Sequence, residues 1–289
     1  MRHFKFAIDA MISAANLSRA ANYSLDMMGG DTVEHPRQLL EFFHSCTKRL
    51  EFSSTIRKKT QPHAGFDRIL EILSDPDATL PISTAVEIAK IADAIMGNYT
   101  AGVNSSTVAR HFRRSSSFGG KSRLLFNIVR AARPTACLEL GTAYGISGCL
   151  IMRAQEAAGV RPKLRTVEAY SPQKEISADI LKNRFHDAVD TRHGTKQDVI
   201  SKIVAGTDTF DLLFHDAGHS GDAYVTDFTA LIPALQPGAI VILDDIRWKS
   251  GKTTRSRLTC YRGWREILKH DRVVAACEVN HNLGILALA

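Results

Sequence analysis

The chain has 289 residues, 44% of them hydrophobic and 23% charged, with a net charge of +7. That is enough to bury a sizeable core in one large or two modest domains. The balance excludes a disordered polar chain, and no apolar run approaches the ~20 residues of a membrane span. Five scattered cysteines (Cys46, Cys137, Cys149, Cys260 and Cys277), none in a C-x-x-C pair, exclude a disulfide scaffold or a cysteine zinc site. They point to a reducing, cytoplasmic compartment.

Residues 1–105 read as helical. Phe4, Ala7, Ile8, Met11, Ile12 and Ala15 recur at helical spacing, as do Leu39, Leu40, Phe43 and Leu50. Asp9 interrupts the first apolar stretch and no cleavage site follows it, so no signal peptide is expected. Phe66, Ile69, Leu70 and Leu73 form another stripe, ended by Ser74-Asp75-Pro76. A further helix opens at Ile82, shows Val86, Ile88, Ala89, Ile91, Ala92 and Ile95 on one face, and stops at Gly97-Asn98. A Gly/Ser-rich linker is expected at 106–120.

Charge is uneven. Residues 1–134 carry 18 Lys+Arg against 12 Asp+Glu, and no acid occurs between Asp93 and Glu139. Such a stretch serves as a solvated face or as a surface for an anionic partner. Its few aromatics, Phe112 and Phe118, are thin for stacking bases, so nucleic acid is not the expected partner.

From Lys121 the pattern alternates helices with short apolar strands, the mark of a parallel sheet covered on both faces. Strands are expected at 136–140, 164–167, 189–192, 210–214, 239–243, 273–277 and 284–288. Helices are expected at 121–132, 146–158, 172–185, 197–204, 221–235 and 262–270. The expected fold is therefore α/β, a Rossmann-like doubly wound sheet of seven strands over 121–289 behind a helical domain at 1–105. In such sheets ligands sit at the carboxyl ends of strands where strand order reverses. The residues just past the strands are Glu139 with Gly141, then Glu168, Asp216, Asp244 and Asp245.

Cys137–Gly148 (Cys-Leu-Glu-Leu-Gly-Thr-Ala-Tyr-Gly-Ile-Ser-Gly) runs from an apolar strand through a glycine turn into a helix. Glycine lets backbone approach a ligand, and the first helical N–H groups carry partial positive charge. Thr142 stands where a ligand anion would touch the first turn, and Ala143 replaces the second glycine of a dehydrogenase-type fingerprint. Glu168 ends a strand, where a carboxylate can take both hydroxyls of a ribose. Asp216, Asp244 and Asp245 repel one another unless a cation joins them, and a hard divalent ion with oxygen ligands answers that need.

Residues 138–147, 166–169, 194–198, 211–219 and 237–245 resemble the class I S-adenosylmethionine-dependent methyltransferases. Within them, they are similar to the metal-dependent branch typified by catechol O-methyltransferase and its small-molecule relatives. The resemblance covers about residues 118–289. It implies that Glu139, Gly141, Thr142, Tyr144 and Ser147 line the methionine end of S-adenosylmethionine. It also implies that Glu168 holds the ribose and Lys196-Gln197 flank the adenine, with Asp216 shared between the cofactor and metal sides. Asp216, Asp244 and Asp245 match the ligands of magnesium or manganese, with Asp245 where the catechol enzyme has asparagine. His219 falls where that branch has a catalytic lysine, so His219 and Asp216 are the candidate catalytic pair.

Histidine titrates near neutrality unaided, so it can collect a proton where a lysine would need a depressed pKa. A small-molecule acceptor with a hydroxyl is expected, with the helical extension serving as a lid or as the contact of a homodimer. The alternatives are a methyltransferase for RNA or another macromolecule, and a non-catalytic cofactor-binding protein. Trp248, just past the aspartate pair, is a candidate wall of the acceptor pocket.

Overall fold

A computed structural model describes residues 54–75, 78–100, 120–170, 173–248, 259–280 and 282–289. The N-terminal stripes at 4–15 and 39–50 and the basic 106–120 linker lie outside the described residues. The chain divides into two compact units, one of residues 1–49 and 79–123, the other of residues 50–78 and 124–289.

In the first unit, helix α2 (Ile82–Thr100) carries the expected apolar face, with Ile88, Ala89, Ile91 and Ile95 buried. Among the described residues, no helix is long and apolar enough to cross a membrane.

The second unit is an eight-stranded mixed sheet. Its elements are β1 (Ser54–Lys59), α1 (Ala64–Ser74), α3 (Gly120–Ala132, which begins in the first unit), β2 (Cys137–Leu140), α4 (Ile146–Ala157), β3 (Leu164–Glu168), α5 (Gln173–Phe185) and β4 (Val189–His193). There follow α6 (Lys196–Ala205), β5 (Phe210–His215), α7 (Gly221–Leu231), β6 (Leu235–Leu243), α8 (Cys260–Ile267), β7 (Val273–Val279) and β8 (Leu283–Leu288). The order across the sheet is β1-β7-β8-β6-β5-β2-β3-β4. β2 pairs in parallel with both β3 and β5, so strand order reverses between β2 and β5. The crevice expected to hold ligands opens there.

All seven expected strands form. Central strands β2 and β5 are buried almost throughout, as near-continuous apolar runs require when both faces are covered. Asp211 pins the start of β2 to β5 by accepting the Thr135 and Ala136 N–H groups at 2.7 and 2.9 Å.

The eighth strand corrects the sequence reading. Residues 1–105 are expected to be wholly helical, but Ser-Thr-Ile-Arg-Lys-Lys forms β1, an edge strand antiparallel to β7. Its residues are exposed or half-buried, so no apolar alternation announces it. Its anchor is charge instead. Arg57 makes a bidentate pair with Glu278 of β7 at 2.8 and 3.0 Å. Glu278 also accepts from Arg247 at 2.9 Å, Trp264 Nε1 at 3.0 Å and the Tyr261 hydroxyl at 3.2 Å. Burial alone would raise this carboxyl, but the Arg57, Arg247 and Trp264 donors hold it down at about 2.

Candidate active site

The β2–α4 turn is shaped by what glycine permits. Gly141 has φ +93°, and a Cβ there would stand 2.3 Å from the Asp216 carbonyl oxygen. Two strand ends on either side of the reversal therefore touch through backbone alone. Gly145 has φ +88° and begins α4 with no side-chain cap, so the first-turn amides of the helix stay available to a ligand.

Around this turn the carboxylates are already engaged. Glu168 accepts the Ala143 N–H at 2.7 Å on one oxygen and the Ala169 and Tyr170 N–H groups at 2.9 Å on the other. It is locked to the turn yet keeps lone pairs for a diol. Glu139 is fully buried. Thr166 donates to its Oε2 at 2.5 Å, while Oε1 has no hydrogen-bond partner. Burial is the main force raising this carboxyl to about 7, and Glu168 adds repulsion against the pull of Ser147 and Thr166.

Two expected cofactor contacts take other roles. The Thr142 hydroxyl turns inward to share a hydrogen bond with Thr166, and Tyr144 is enclosed in the core at 1% exposure. Both positions still lie in the β2–α4 turn, where their backbone faces any ligand the turn holds. Ser147 is buried beside Glu139 at the start of α4. Gln197 stands exposed in the first turn of α6. Lys196 does not extend outward beside it. Its ammonium pairs with Asp227 of α7, and a Cβ on Gly218 would lie 2.8 Å from its Nζ.

On the other side of the reversal, Asp216, His219 and Asp245 each place a ligand atom within 4.8 Å of the others. His219 Nδ1 lies 3.7 Å from Asp245 Oδ2, and its Nε2 lies 4.0 Å from Asp216 Oδ1. Nδ1 is buried and makes no hydrogen bond. The Trp248 ring stands 5.6 Å from the imidazole and is half-exposed.

Asp244 stands outside this group of three. It is buried at 2% exposure, and its Oδ1 accepts the Asp245 N–H at 2.9 Å. Asp245 makes the turn with φ +55° and is steadied by Asn282 Nδ2 at 2.6 Å. His219 takes the third place, and Asn282 is a supporting residue that the sequence did not signal.

Residues 138–246 match a family described as a methyltransferase domain. This stretch is similar to methyltransferase domains. It runs from β2 through the end of β6 and so holds both strand-end clusters. Over 154 residues the chain is 29% identical to a Mycobacterium tuberculosis protein named "Probable O-methyltransferase", covering 51% of this chain and 65% of that relative, or just under two thirds of its length.

Among solved structures, the fold is similar to an O-methyltransferase from Bacillus cereus in complex with SAH. The TM-score is 0.54 at 19% identity, over 71% of this chain and 90% of that one. It is also similar to an O-methyltransferase from Streptomyces achromogenes involved in tomaymycin synthesis, in complex with SAM. There the TM-score is 0.52 at 22% identity, over 70% and 89% of the two chains. A SAH-bound Podospora anserina methyltransferase gives 0.53 at 13% identity, over 73% and 89%. At these identities the likeness is one of fold.

Proposed function

We propose that this protein is an S-adenosylmethionine-dependent O-methyltransferase acting on a hydroxyl of a small molecule, with a divalent ion at the acceptor. The observation that carries the reading is the Gly141–Gly145 turn clasped by Glu168. It presents a free helix start, a strand-end carboxylate and a glycine surface to one ligand. The ligands printed for the similar structures, SAH and SAM, suit that cradle.

In this reading the first-turn amides of α4 face the cofactor's carboxylate, Glu139 its ammonium, and Glu168 its ribose diol. The cofactor supplies an activated methyl group on a sulfonium. The acceptor oxygen bonds to that carbon as the carbon–sulfur bond breaks, so the acceptor's proton must leave. The carboxylates of Asp216 and Asp245 would hold magnesium or manganese, hard ions that accept carboxylate oxygens. The orphaned Nδ1 of His219 is consistent with a base standing beside that ion. A bound ion would lower the pKa of an acceptor hydroxyl. His219 is the residue placed to take the proton, either directly or once the hydroxyl is acidified. Trp248 walls the approach.

Calorimetry with S-adenosylhomocysteine tests the cofactor half. Binding in the micromolar range is expected, and no binding at millimolar ligand overturns the reading. Methyl transfer from labelled S-adenosylmethionine to a panel of hydroxylic small molecules, with and without chelator, tests the rest.

A further inference from the structure

A charged group of three sits under the Asp216–His219 loop and is used by nothing described so far. His215, the last residue of β5, is fully buried, and its Nε2 lies 2.8 Å from Asp227 Oδ2 on α7. The same carboxylate oxygen holds the Lys196 ammonium from the start of α6. Asp227 is 1% exposed, so three elements meet at one desolvated oxygen.

The group touches the loop at two points. The Ala217 N–H lies 3.5 Å from His215 Nδ1, and Gly218, at φ +65°, rests over the Lys196 Nζ, where any Cβ would stand 2.8 Å away. One turn earlier on α7, the Tyr224 hydroxyl donates to the Asp244 carbonyl at 2.6 Å and its ring meets His215 edge-on at 5.1 Å. Residues three apart lie on one helix face, so α7 reaches the ends of both β5 and β6 with a single face. Burial and the His215 and Lys196 hydrogen bonds act in opposite directions on Asp227, and the bonds prevail to keep it ionised. Burial keeps His215 below its ordinary range.

We propose that Lys196, Asp227 and His215, with Tyr224, are positioning residues that fix the Asp216–His219 loop against the end of β6 and so set the spacing between His219 and Asp245. The inference rests on the methyltransferase reading only for what the loop then does. The bracing itself is a property of the fold. Apolar residues of like volume often stabilise a fold as well as a buried ion pair does, so retention of the pair needs a reason beyond stability. Holding a loop of small residues, Ala217-Gly218, in one arrangement is such a reason.

Hydrogen exchange on the intact chain tests this, with Asp227→Asn, Lys196→Met and the charge-neutral double Lys196→Met/Asp227→Asn. Ile69→Val, on distant α1, serves as a control for global destabilisation. The brace predicts at least about tenfold faster amide exchange over 216–220 in both single variants, beyond any rise in the control. In the double variant Tm should recover while the loop stays fast, because neutrality is restored but the tether is not. In Asp227→Asn, S-adenosylhomocysteine affinity should change by less than about twofold. The proposal is overturned if exchange rises uniformly along the chain, or if loop protection returns together with Tm. A wild-type chain that does not bind S-adenosylhomocysteine would sink the methyltransferase reading, and the exchange arms would still decide the brace.

Discussion

The two halves of the site differ in who satisfies their carboxylates. On the β2–β3 side, three backbone N–H groups engage Glu168 and a threonine hydroxyl engages one oxygen of buried Glu139. On the β5–β6 side, His219 stands 3.7 Å from Asp245 and 4.0 Å from Asp216, too far for good hydrogen bonds to either. The first half is a mould finished by the protein's own backbone, and only a ligand of matching shape adds to it. The second half is steadied by a side chain, Asn282, at Asp245. In the proposed function the first half would hold the cofactor and the second would take the acceptor and its ion.

The largest effect should come from the open half. His219→Ala is expected to lower turnover by about 100- to 10,000-fold, the usual scale for a general base, with S-adenosylhomocysteine affinity unchanged by calorimetry. Asp245→Asn should share the loss and raise the magnesium or manganese concentration needed for half-maximal rate. If both variants turn over normally in chelator, the contrast between the halves is wrong.

Next comes the turn that joins them. Gly141→Ala forces a side chain into positive φ and against the Asp216 carbonyl, and should cost at least ~3 kcal/mol from strain and overpacking together. Thermal unfolding of the variant checks this, and a Tm within a degree of wild type would show that the two strand ends do not meet.

Glu139 gives a prediction of opposite sign. Its folded-state pKa of about 7 lies above the ordinary carboxyl value. The folded chain therefore binds more protons than the unfolded one between about pH 4.5 and 7, and stability falls as pH rises through that window. Glu139→Gln should remove that slope and be more stable than wild type at pH 8 by about 3 kcal/mol, while binding cofactor more weakly. Denaturation curves at pH 5 and pH 8 decide it.

Glu168→Ala should produce the smallest of these changes, a weakening of S-adenosylhomocysteine binding by about tenfold or somewhat more, since a charge-assisted hydrogen bond contributes roughly 1.5–3 kcal/mol. Unchanged affinity would leave Glu168 as a clamp for the turn alone.

Much of this was legible in the chain itself. The seven apolar strands show because both faces of a central sheet are covered, leaving runs such as Leu212-Leu213-Phe214 with no polar interruption. The Glu139 and Glu168 positions show because they end such runs. What stayed hidden depends on distance or direction. β1 is polar and half-exposed, and its reason for being a strand, Glu278, lies 221 residues away. Lys196 looks like a surface residue at the start of a helix until Asp227, 31 positions on, is brought beneath it. Asp244 and Asp245 are indistinguishable as letters, and only the turn after β6, with its positive φ at Asp245, separates a buried backbone cap from a group beside His219.

The edge strand also bears on how the molecule can be cut. β1 covers the outer backbone of β7, and its Arg57 supplies two of the hydrogen bonds to a carboxylate buried at 1% exposure. A shortened chain beginning at α3 would contain every strand of the parallel core and both halves of the site. It would nonetheless expose a seven-residue, fully buried apolar strand along its hydrogen-bonding edge, the kind of surface that recruits further strands. Such a fragment should aggregate more readily than the intact protein. The catalytic region is continuous in space, but in the sequence it starts well before the methyltransferase motifs begin.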